Sequence, residues 1–418
     1  MKGDAYAAIN EAVTAEAERE RREYAPEPEP TEPPEPTPEP GNGSPLSFPA
    51  HIMTGVAGYF SEVLSECMEP PRHFFFLSYL ACLGAVIPGV TLKSELRPQG
   101  RVYLILLGES ADDKKSTSIS KTVAFFQGAV TAFKVCFGVG SAEGLQRRFL
   151  KDAKDGEPSS VLLIFDEWKY FVSKSKVDGA VILPMACTLF ESNRYESHTK
   201  DREIILTGAY LSILAASTID TYERCWDSAF TDIGMTNRLF IAPGQGKRAH
   251  AIPGRVPVHE WDTMKNDLGK VLRNASLTPE LDITPAARAL YEHWYLNLEQ
   301  SVHAKRLDAY ALRFMILLAV NAGKAEVDES TVQDVIELMN WQLQARRLHD
   351  PVDADSAVAK VEEKIRRVLT TGARSDRDLK RACHYNRIGT WVFENAIRNL
   401  TRAGEVRFDK KAKAWGLK

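Results

Sequence analysis

The chain has 418 residues, of which 44% are hydrophobic and 26% are charged. This balance is typical of a globular protein with a sizeable core, and it excludes a wholly disordered, collagen-like or small disulfide-stapled chain. The formal net charge of −3 hides an asymmetry, because residues 356–418 carry +9 while the first 355 residues carry −12. An acidic body followed by a basic tail indicates a separate terminal domain.

The N-terminal 47 residues are predicted to be an arm outside the folded protein. Residues 1–24 are polar and lack the apolar stretch of a signal peptide. The segment 26–45 contains nine prolines and five glutamates, and such a composition predicts an extended, charge-stiffened linker. The six cysteines include no C-x-x-C pair, so no zinc ribbon is indicated. Because no signal peptide is seen, a reducing, cytoplasmic location is expected.

Residues 48–257 have the pattern of an open α/β sheet. Residues 48–87 are predicted to be helical and end at Pro88 and Gly89. The apolar run 74–90 is close to the length of a membrane span but is broken by these two residues. We therefore predict a buried helix there and no membrane partner. Residues 90–96 are predicted to form a strand. Short apolar runs at 101–108, 161–167, 209–218 and 238–242 alternate with helical stretches, which predicts buried parallel strands.

Two further regions complete the predicted organisation. Residues 258–350 read as a helical extension. Residues 356–418 read as three helices followed by a small β-hairpin, which in a strongly basic segment is the pattern of a winged helix-turn-helix. The expected fold class is thus α/β, with a helical N-terminal part, a sheet domain, a helical extension and a terminal winged helix.

The sequence LLGESADDKKST (106–117) lies where a phosphate-binding Walker A loop belongs, between a strand and a helix. The usual spacing would place glycine at 113 and lysine at 114, but residue 113 is Asp. We favour Lys115 as the phosphate lysine and Ser116 as the magnesium ligand, because the register on Lys114 leaves no hydroxyl for the metal. The alternative is a polar surface turn. The predicted nucleotide-contacting residues are Gly108, Lys114, Lys115, Ser116 and Thr117.

About fifty residues further on, an apolar strand ends in Asp166-Glu167. In P-loop ATPases an acidic pair in this place holds Mg²⁺ through the Asp and polarises the attacking water through the Glu. Ser217 and Thr218 end the next predicted strand and are candidates to sense the terminal phosphate, although either could instead cap a helix. Arg238 is a candidate arginine finger acting on a neighbouring subunit, with a surface ion pair as the alternative.

These segments, together with GSAEGL (140–145), LSILAAST and GMTNRLF, resemble a family of P-loop ATPases of uncharacterised function from phages, plasmids and bacterial islands. Members of that family are commonly described as primase-associated or helicase-like. The resemblance covers residues 50–250 and implies a RecA-like or AAA+-like core, ATP with Mg²⁺, and a role in replication of a mobile element. The glycine-poor loop departs from the family pattern, and we expect this departure to affect the rate of ATP turnover more than nucleotide binding.

Basic residues in two places are candidates to bind DNA. In the tail, Trp391 is assigned to the core, and the predicted DNA contacts are Arg387, Arg398, Arg402, Lys410, Lys411 and Lys413. The alternative is a winged helix used for protein contacts. In the core, Lys200 and Arg202 lie in a loop that could track single-stranded DNA in the channel of a ring, or could be a solvated turn.

The leading hypothesis is an ATP-dependent DNA helicase or DNA-remodelling ATPase that forms a homo-oligomeric ring, with a hexamer as the expected form. It would bind single-stranded DNA in the ring and duplex DNA at the winged helix, with a primase as a further partner. One alternative is a nucleotide-gated initiator or repressor with little hydrolysis. Another is an inactive P-loop adaptor that recruits a primase through the Pro/Glu-rich arm.

Overall fold

The architecture was analysed in a computed structural model of the chain. It describes residues 46–109, 113–150, 159–177, 179–198, 203–226, 230, 233–350 and 357–418, with the side chains of residues 204 and 387 excepted. The predicted arm at 1–47 lies almost entirely outside these residues.

Helices occupy most of the described chain. They are α1 Gly55–Cys67, α2 Arg72–Val86, α3 Lys115–Ala129, α4 Ala142–Leu150, α5 Trp168–Ser175, α6 Ile182–Glu191, α7 Ile219–Arg224, α8 Val258–Leu277, α9 Pro285–Leu296, α10 Leu307–Asn321, α11 Glu329–His349, α12 Ala357–Thr370, α13 Asp376–Ala382, α14 Tyr385–Ile388 and α15 Thr390–Arg402. Single 3₁₀ turns lie at Ala50–Ile52 and Thr236–Arg238.

The strands are shorter and fall into four sheets. They are β1 Thr91–Leu92, β2 Tyr103–Gly108, β3 Val135–Phe137, β4 Ser159–Phe165, β5 Tyr195–His198, β6 Glu203–Leu206, β7 Ala209–Thr218, β8 Phe240–Pro243, β9 Glu280–Ile283, β10 Glu326–Val327, β11 Arg374–Ser375, β12 Val406–Asp409 and β13 Ala414–Leu417.

The central sheet is parallel and has the strand order β3-β4-β7-β2-β8. Its middle strands β2 and β7 are buried along almost their whole length, which explains their continuous apolar sequences. The helices that contact the sheet are α2, α3, α4, α5, α6, α7 and α11. The prediction of an open α/β sheet is therefore confirmed.

The predicted apolar helix is α2, in which every residue from Phe74 to Ala85 is buried. It contacts β2, β4 and β7 as well as α1, α3 and α10, so its all-round hydrophobicity serves protein packing. No helix among the described residues is long and apolar enough to cross a membrane.

A second, smaller parallel sheet begins inside the predicted strand 90–96, and its other two strands were not predicted. It has the order β1-β9-β10 and joins residues 91–92 to two short strands of the helical extension. One hydrophobic core runs from Ile52 to Ala345, so the predicted segments 48–257 and 258–350 share a common core. Strands as short as β9 and β10 carry too little pattern to be recognised from sequence.

Residues 357–418 have a hydrophobic cluster of their own, which includes Ile365, Leu379, Phe393 and Leu400. The helices α12, α13 and α15 pack with an antiparallel sheet of order β11-β13-β12. The predicted three helices and terminal hairpin are present, with the short β11 and α14 in addition.

Candidate functional site

Three neighbouring strands end together at the carboxyl edge of the central sheet. Leu107 and Gly108 at the end of β2 lie opposite Ser217 and Thr218 of β7. On the other side of β7, Phe165 of β4 lies opposite Ala215. Residues directly after β4 therefore reach the level of Ser217. Ligands of open parallel sheets bind at this edge, so segments far apart in the sequence meet at a plausible binding position.

The residues after β4 and β7 are joined by a hydrogen bond. The hydroxyl of Ser217 donates to Oε1 of Glu167 over 3.2 Å. Ser217 is buried, whereas Asp166 and Glu167 are exposed. The buried hydroxyl thus holds one exposed carboxylate in place and leaves the carboxylate's second oxygen to other contacts.

Lys115 is the first residue of α3, and its side chain is buried beneath the loop that follows β2. Its ammonium donates to the carbonyl oxygens of Gly108 (3.1 Å) and Glu109 (2.7 Å). Burial lowers the pKa of Lys115, and the carboxylates of Asp113, Glu167 and Glu109 act in the opposite direction. Lys115 and Glu167 therefore interact electrostatically within a single site.

The neighbours of Lys115 differ from it in exposure. Lys114 precedes the helix in a left-handed conformation with a φ of 47°, and its side chain is exposed. Ser116 is exposed and Thr117 is half-buried, with its N–H donating to the carbonyl of Lys114 over 3.0 Å. Lys115 is thus the lysine of this pair that contacts the loop. Residues 110–112 of the loop lie outside the described residues.

Asp113 occupies the position where the standard motif has glycine, and it is only 1% exposed. Its carboxylate accepts hydrogen bonds from the N–H groups of Glu109 and Gly246, the latter over 2.6 Å. A Cβ atom at Gly108 would approach the carboxylate to 2.5 Å, so a larger residue at 108 would have to displace the Asp113 side chain. Asp113 therefore ties the loop to the segment that follows β8.

Sequence reasoning missed this link. The sequence showed Asp113 only as a departure from the usual glycine, whereas both of its carboxylate oxygens accept from backbone N–H groups. The available signal was the pair Gly244 and Gly246 immediately after an apolar strand. Gly244 continues the β8–β2 contact, with its N–H donating to the carbonyl of Leu107 over 2.9 Å, and a Cβ there would meet the ring of Phe74.

Thr218 caps the helix that follows β7. Its hydroxyl oxygen accepts from the N–H of Thr221 over 3.2 Å and donates to the Thr221 hydroxyl over 2.8 Å. This is the capping arrangement considered as the alternative to a catalytic role. Of the two polar residues that end β7, Ser217 is the one that contacts Glu167.

Arg238 lies at the opposite edge of the sheet. Phe240, the first residue of β8, is opposite Leu104 near the start of β2. Four residues of strand, or about 13 Å, separate Leu104 from Gly108 at the carboxyl edge. The guanidinium of Arg238 donates to the carbonyl oxygens of Ile233 (2.9 Å) and Gly234 (3.1 Å). Its arginine-finger role stays a prediction that requires a neighbouring subunit and release from these carbonyls.

The predicted channel loop lies in the sequence between the end of β5 and the start of β6. The two strands are antiparallel, and His198 forms an ion pair with Glu203 across them at 2.8 Å. Lys200 and Arg202 lie between the strands and outside the described residues. The DNA-binding prediction for these two residues is therefore not tested by the described geometry.

The basic residues of the C-terminal unit lie on its surface. Arg398 and Arg402 are exposed on α15, and exposed lysines at Lys410, Lys411 and Lys413 lie in the β12–β13 turn. Arg387 lies in α14, and its side chain is outside the described residues. The assignment of Trp391 to the core is wrong, since it is 71% exposed. The buried face of α15 is formed by Phe393, Ala396 and Leu400, at helical spacing.

The site was also tested for its ability to hold Mg²⁺ with a nucleotide. The described residues contain no group of three or more His, Cys, Asp or Glu side chains that could hold a metal. Magnesium in nucleotide sites commonly uses one or two protein oxygens, with phosphate and water completing its shell. Asp166 and Ser116 are both exposed, and each side chain offers an oxygen of the kind that such a site uses.

No protein-family model matches the chain, and no curated protein matches it.

Proposed function

We propose that this chain is an ATP-dependent DNA helicase or DNA-remodelling ATPase that acts in replication of a phage, plasmid or genomic island. The observation that carries the proposal is the convergence of Lys115, Glu167 and Ser217 at the carboxyl edge of one parallel sheet. A lysine at a helix start and a carboxylate at the end of a nearby strand are the parts that P-loop ATPases require.

Each residue of the site has a role in this proposal. ATP with Mg²⁺, when bound, supplies the phosphoryl group and the cation that neutralises developing charge. Lys115 and the first N–H groups of α3 bind phosphate, while Ser116 and Asp166 hold the magnesium ion. Glu167 orients and polarises the attacking water, and Ser217 positions the Glu167 carboxylate through its hydrogen bond.

The sheet supports a RecA-like or AAA+-like core. The strand carrying the phosphate loop (β2) is separated from the strand carrying the acidic pair (β4) by β7, which carries Ser217. The hairpin β5–β6 immediately precedes β7, and the sequence between its strands contains the two basic residues proposed to contact single-stranded DNA. The ring, with a hexamer as the expected form, is the assembly in which Arg238 would act on a neighbour's nucleotide.

The C-terminal unit supports DNA binding. Its three helices α12, α13 and α15 and its sheet β11-β13-β12 agree with a winged helix, in which α15 is the helix expected in the major groove. Arg398 and Arg402 are exposed on that helix, and the lysines of the β12–β13 turn would lie near phosphate. The excess of +9 over residues 356–418 favours a nucleic-acid partner over a protein partner.

A specific observation favours a second candidate, a nucleotide-gated DNA-binding protein with little hydrolysis. Asp113 replaces the usual glycine and fastens the phosphate loop to the segment after β8, which restricts how that loop can adjust during a catalytic cycle. The third candidate is an inactive adaptor that recruits a primase. In that case substitution of Lys115 would leave the biological function unchanged.

Steady-state ATP hydrolysis by the purified full chain tests the proposal. Glu167→Gln keeps the size of the side chain and removes its charge, so we expect turnover to fall at least 100-fold while ATP binding is retained. The matched control is Glu292→Gln at an exposed position on α9, which should keep wild-type turnover. Equal turnover in wild type and Glu167→Gln would contradict the site. Binding without turnover in both would leave the nucleotide-gated candidate.

A further inference from the structure

A cavity of about 580 Å³ lies beside α3, next to the loop proposed to bind phosphate. One wall is formed by Lys114, which precedes α3, together with Thr117 and Lys121 of α3. A second wall is the turn 68–70 between α1 and α2. The third wall is the chain from Pro253 into α8, which includes Trp261. The volume lies within the range of small-molecule sites.

The position of the cavity relates it directly to the phosphate site. Lys114 lines the cavity, and the next residue along the chain is Lys115, whose ammonium contacts the loop. Lys121 follows Lys115 by six residues, or about 9 Å along the helix axis. A ligand whose phosphates contact the start of α3 would therefore have its remaining part beside this wall.

The walls combine a flat aromatic surface with positive charge. Trp261 stacks on Phe125, with the ring centroids 5.6 Å apart and the planes at 27°, and this contact holds the indole in place. Three cations, Lys114, Lys121 and Arg255, line the cavity, and Glu69 is the one acidic residue among the described lining residues. Oε1 of Glu69 already accepts the N–H groups of residues 249 and 250.

We propose that this cavity binds the base and ribose of the nucleoside triphosphate whose phosphates occupy the β2–α3 loop. Trp261 supplies the surface on which the base packs, because an aromatic face accepts any base. Lys121 and Arg255 flank the ribose and the phosphate nearest to it. The assignment rests on the proposed function, since it depends on phosphate binding at Lys115.

A comparison of ATP with inorganic tripolyphosphate separates the two assignments. Both ligands can contact the phosphate loop, but only ATP carries a base and ribose. Affinities are measured by calorimetry with Mg²⁺ on the full chain, in a Glu167→Gln background so that ATP is not consumed. We expect ATP to bind at least 10-fold more tightly than tripolyphosphate.

Two substitutions alter the cavity in different ways. Val258→Trp fills it from a residue that is 75% exposed, and its matched control is Val302→Trp at a position that is 61% exposed and outside the cavity lining. Trp261→Ala removes the packing surface, and Trp261→Phe should restore most of the affinity. Val258→Trp and Trp261→Ala should each weaken ATP binding at least 10-fold and change tripolyphosphate binding less than 2-fold.

The outcomes distinguish the assignment of the cavity to base and ribose from the assignment of the β2–α3 loop to phosphate. If Val258→Trp leaves the affinity ratio of ATP to tripolyphosphate at its wild-type value, the cavity assignment is overturned and the phosphate site stands. The same conclusion follows if wild type binds both ligands equally. If neither ligand binds, the proposed function fails and the cavity assignment fails with it.

Discussion

At the scale of single residues, the site depends on one buried lysine beside one exposed lysine. Lys115 donates to two loop carbonyl oxygens, and Lys114 faces the neighbouring cavity. A buried ammonium beneath the loop that we propose to bind phosphate would interact strongly with that ligand, because little water competes with it. The same charge on an exposed side chain is screened by solvent.

Alanine substitution of the two lysines should therefore have unequal effects on nucleotide binding. We expect Lys115→Ala to weaken ATP binding at least 30-fold and Lys114→Ala to weaken it less than 5-fold. Binding of a fluorescent ATP analogue, with circular dichroism to check folding, measures the difference. Equal losses, or a larger loss in Lys114→Ala, would favour the alternative register of the motif, in which Lys114 is the phosphate lysine.

Asp113 gives a prediction about stability. Asp113→Ala leaves the N–H groups of Glu109 and Gly246 without the carboxylate that accepts from them. Loss of a buried acceptor of this kind costs about 1–3 kcal/mol. Urea denaturation of the variant should show a loss of free energy of unfolding in this range.

The control for Asp113 is Asp267→Ala, which removes an exposed ion pair with Lys270 on α8. Such surface pairs contribute less than about 1 kcal/mol. A loss in Asp113→Ala no larger than that of the control would show that the carboxylate does not stabilise the loop.

At the scale of secondary-structure elements, α7 links the candidate site to the C-terminal unit. The helix begins directly after Thr218 and carries Asp220 and Glu223. Glu223 forms ion pairs with Lys364 of α12 at 2.6 Å and with His349 of α11 at 3.5 Å, and Asp220 pairs with His384. Charge pairs on one short helix thus connect the end of β7 to the basic unit.

The environment of Glu223 leads us to expect that the free energy of unfolding depends on pH. Burial acts to raise its pKa, but His349 and Lys364 outweigh this effect and lower the pKa to about 2. A carboxylate with a depressed pKa stabilises the folded state above its unfolded pKa of about 4.5, and the contribution disappears as the pH falls toward 2. The shift corresponds to roughly 3 kcal/mol at neutral pH.

Glu223→Gln should therefore be less stable than wild type at pH 7, and the difference should shrink at pH 3. Urea denaturation of both proteins at the two pH values gives the comparison. Glu363→Gln is the control, because Glu363 forms only part-exposed pairs with Arg366 and Arg367 within α12. A difference that is the same at both pH values would argue against a depressed pKa at Glu223.

At the scale of the whole molecule, most of the larger elements could be predicted from the sequence. β7 has the predicted bounds, since a ten-residue apolar run between breakers has few alternatives. The helices and hairpin of the basic tail were predicted because charge, glycines and apolar spacing agree there. Strands β9 and β10 of the small β1-β9-β10 sheet were missed because their pairing depends on long-range contacts and leaves almost no local pattern.

The candidate site was predictable in part. Gly108, Lys115, Asp166 and Glu167 could be selected because motifs record the types and spacing of residues. Two features of the site could not be predicted because each joins segments far apart in sequence. They are the hydrogen bond from the Gly246 N–H to Asp113 and the cavity at Trp261. Trp391 was assigned to the core on hydrophobicity alone, although Phe393 and Leu400 already define the buried face of α15.

In the proposed function, the nucleotide site and the basic C-terminal unit act together on DNA. The most direct measurement is the rate of ATP hydrolysis with and without a forked DNA that has single-stranded arms and a duplex stem. We predict at least 5-fold stimulation in wild type, and loss of most of that stimulation in Arg398→Glu/Arg402→Glu with the basal rate retained. Hydrolysis that is unchanged by DNA in wild type would contradict this proposal.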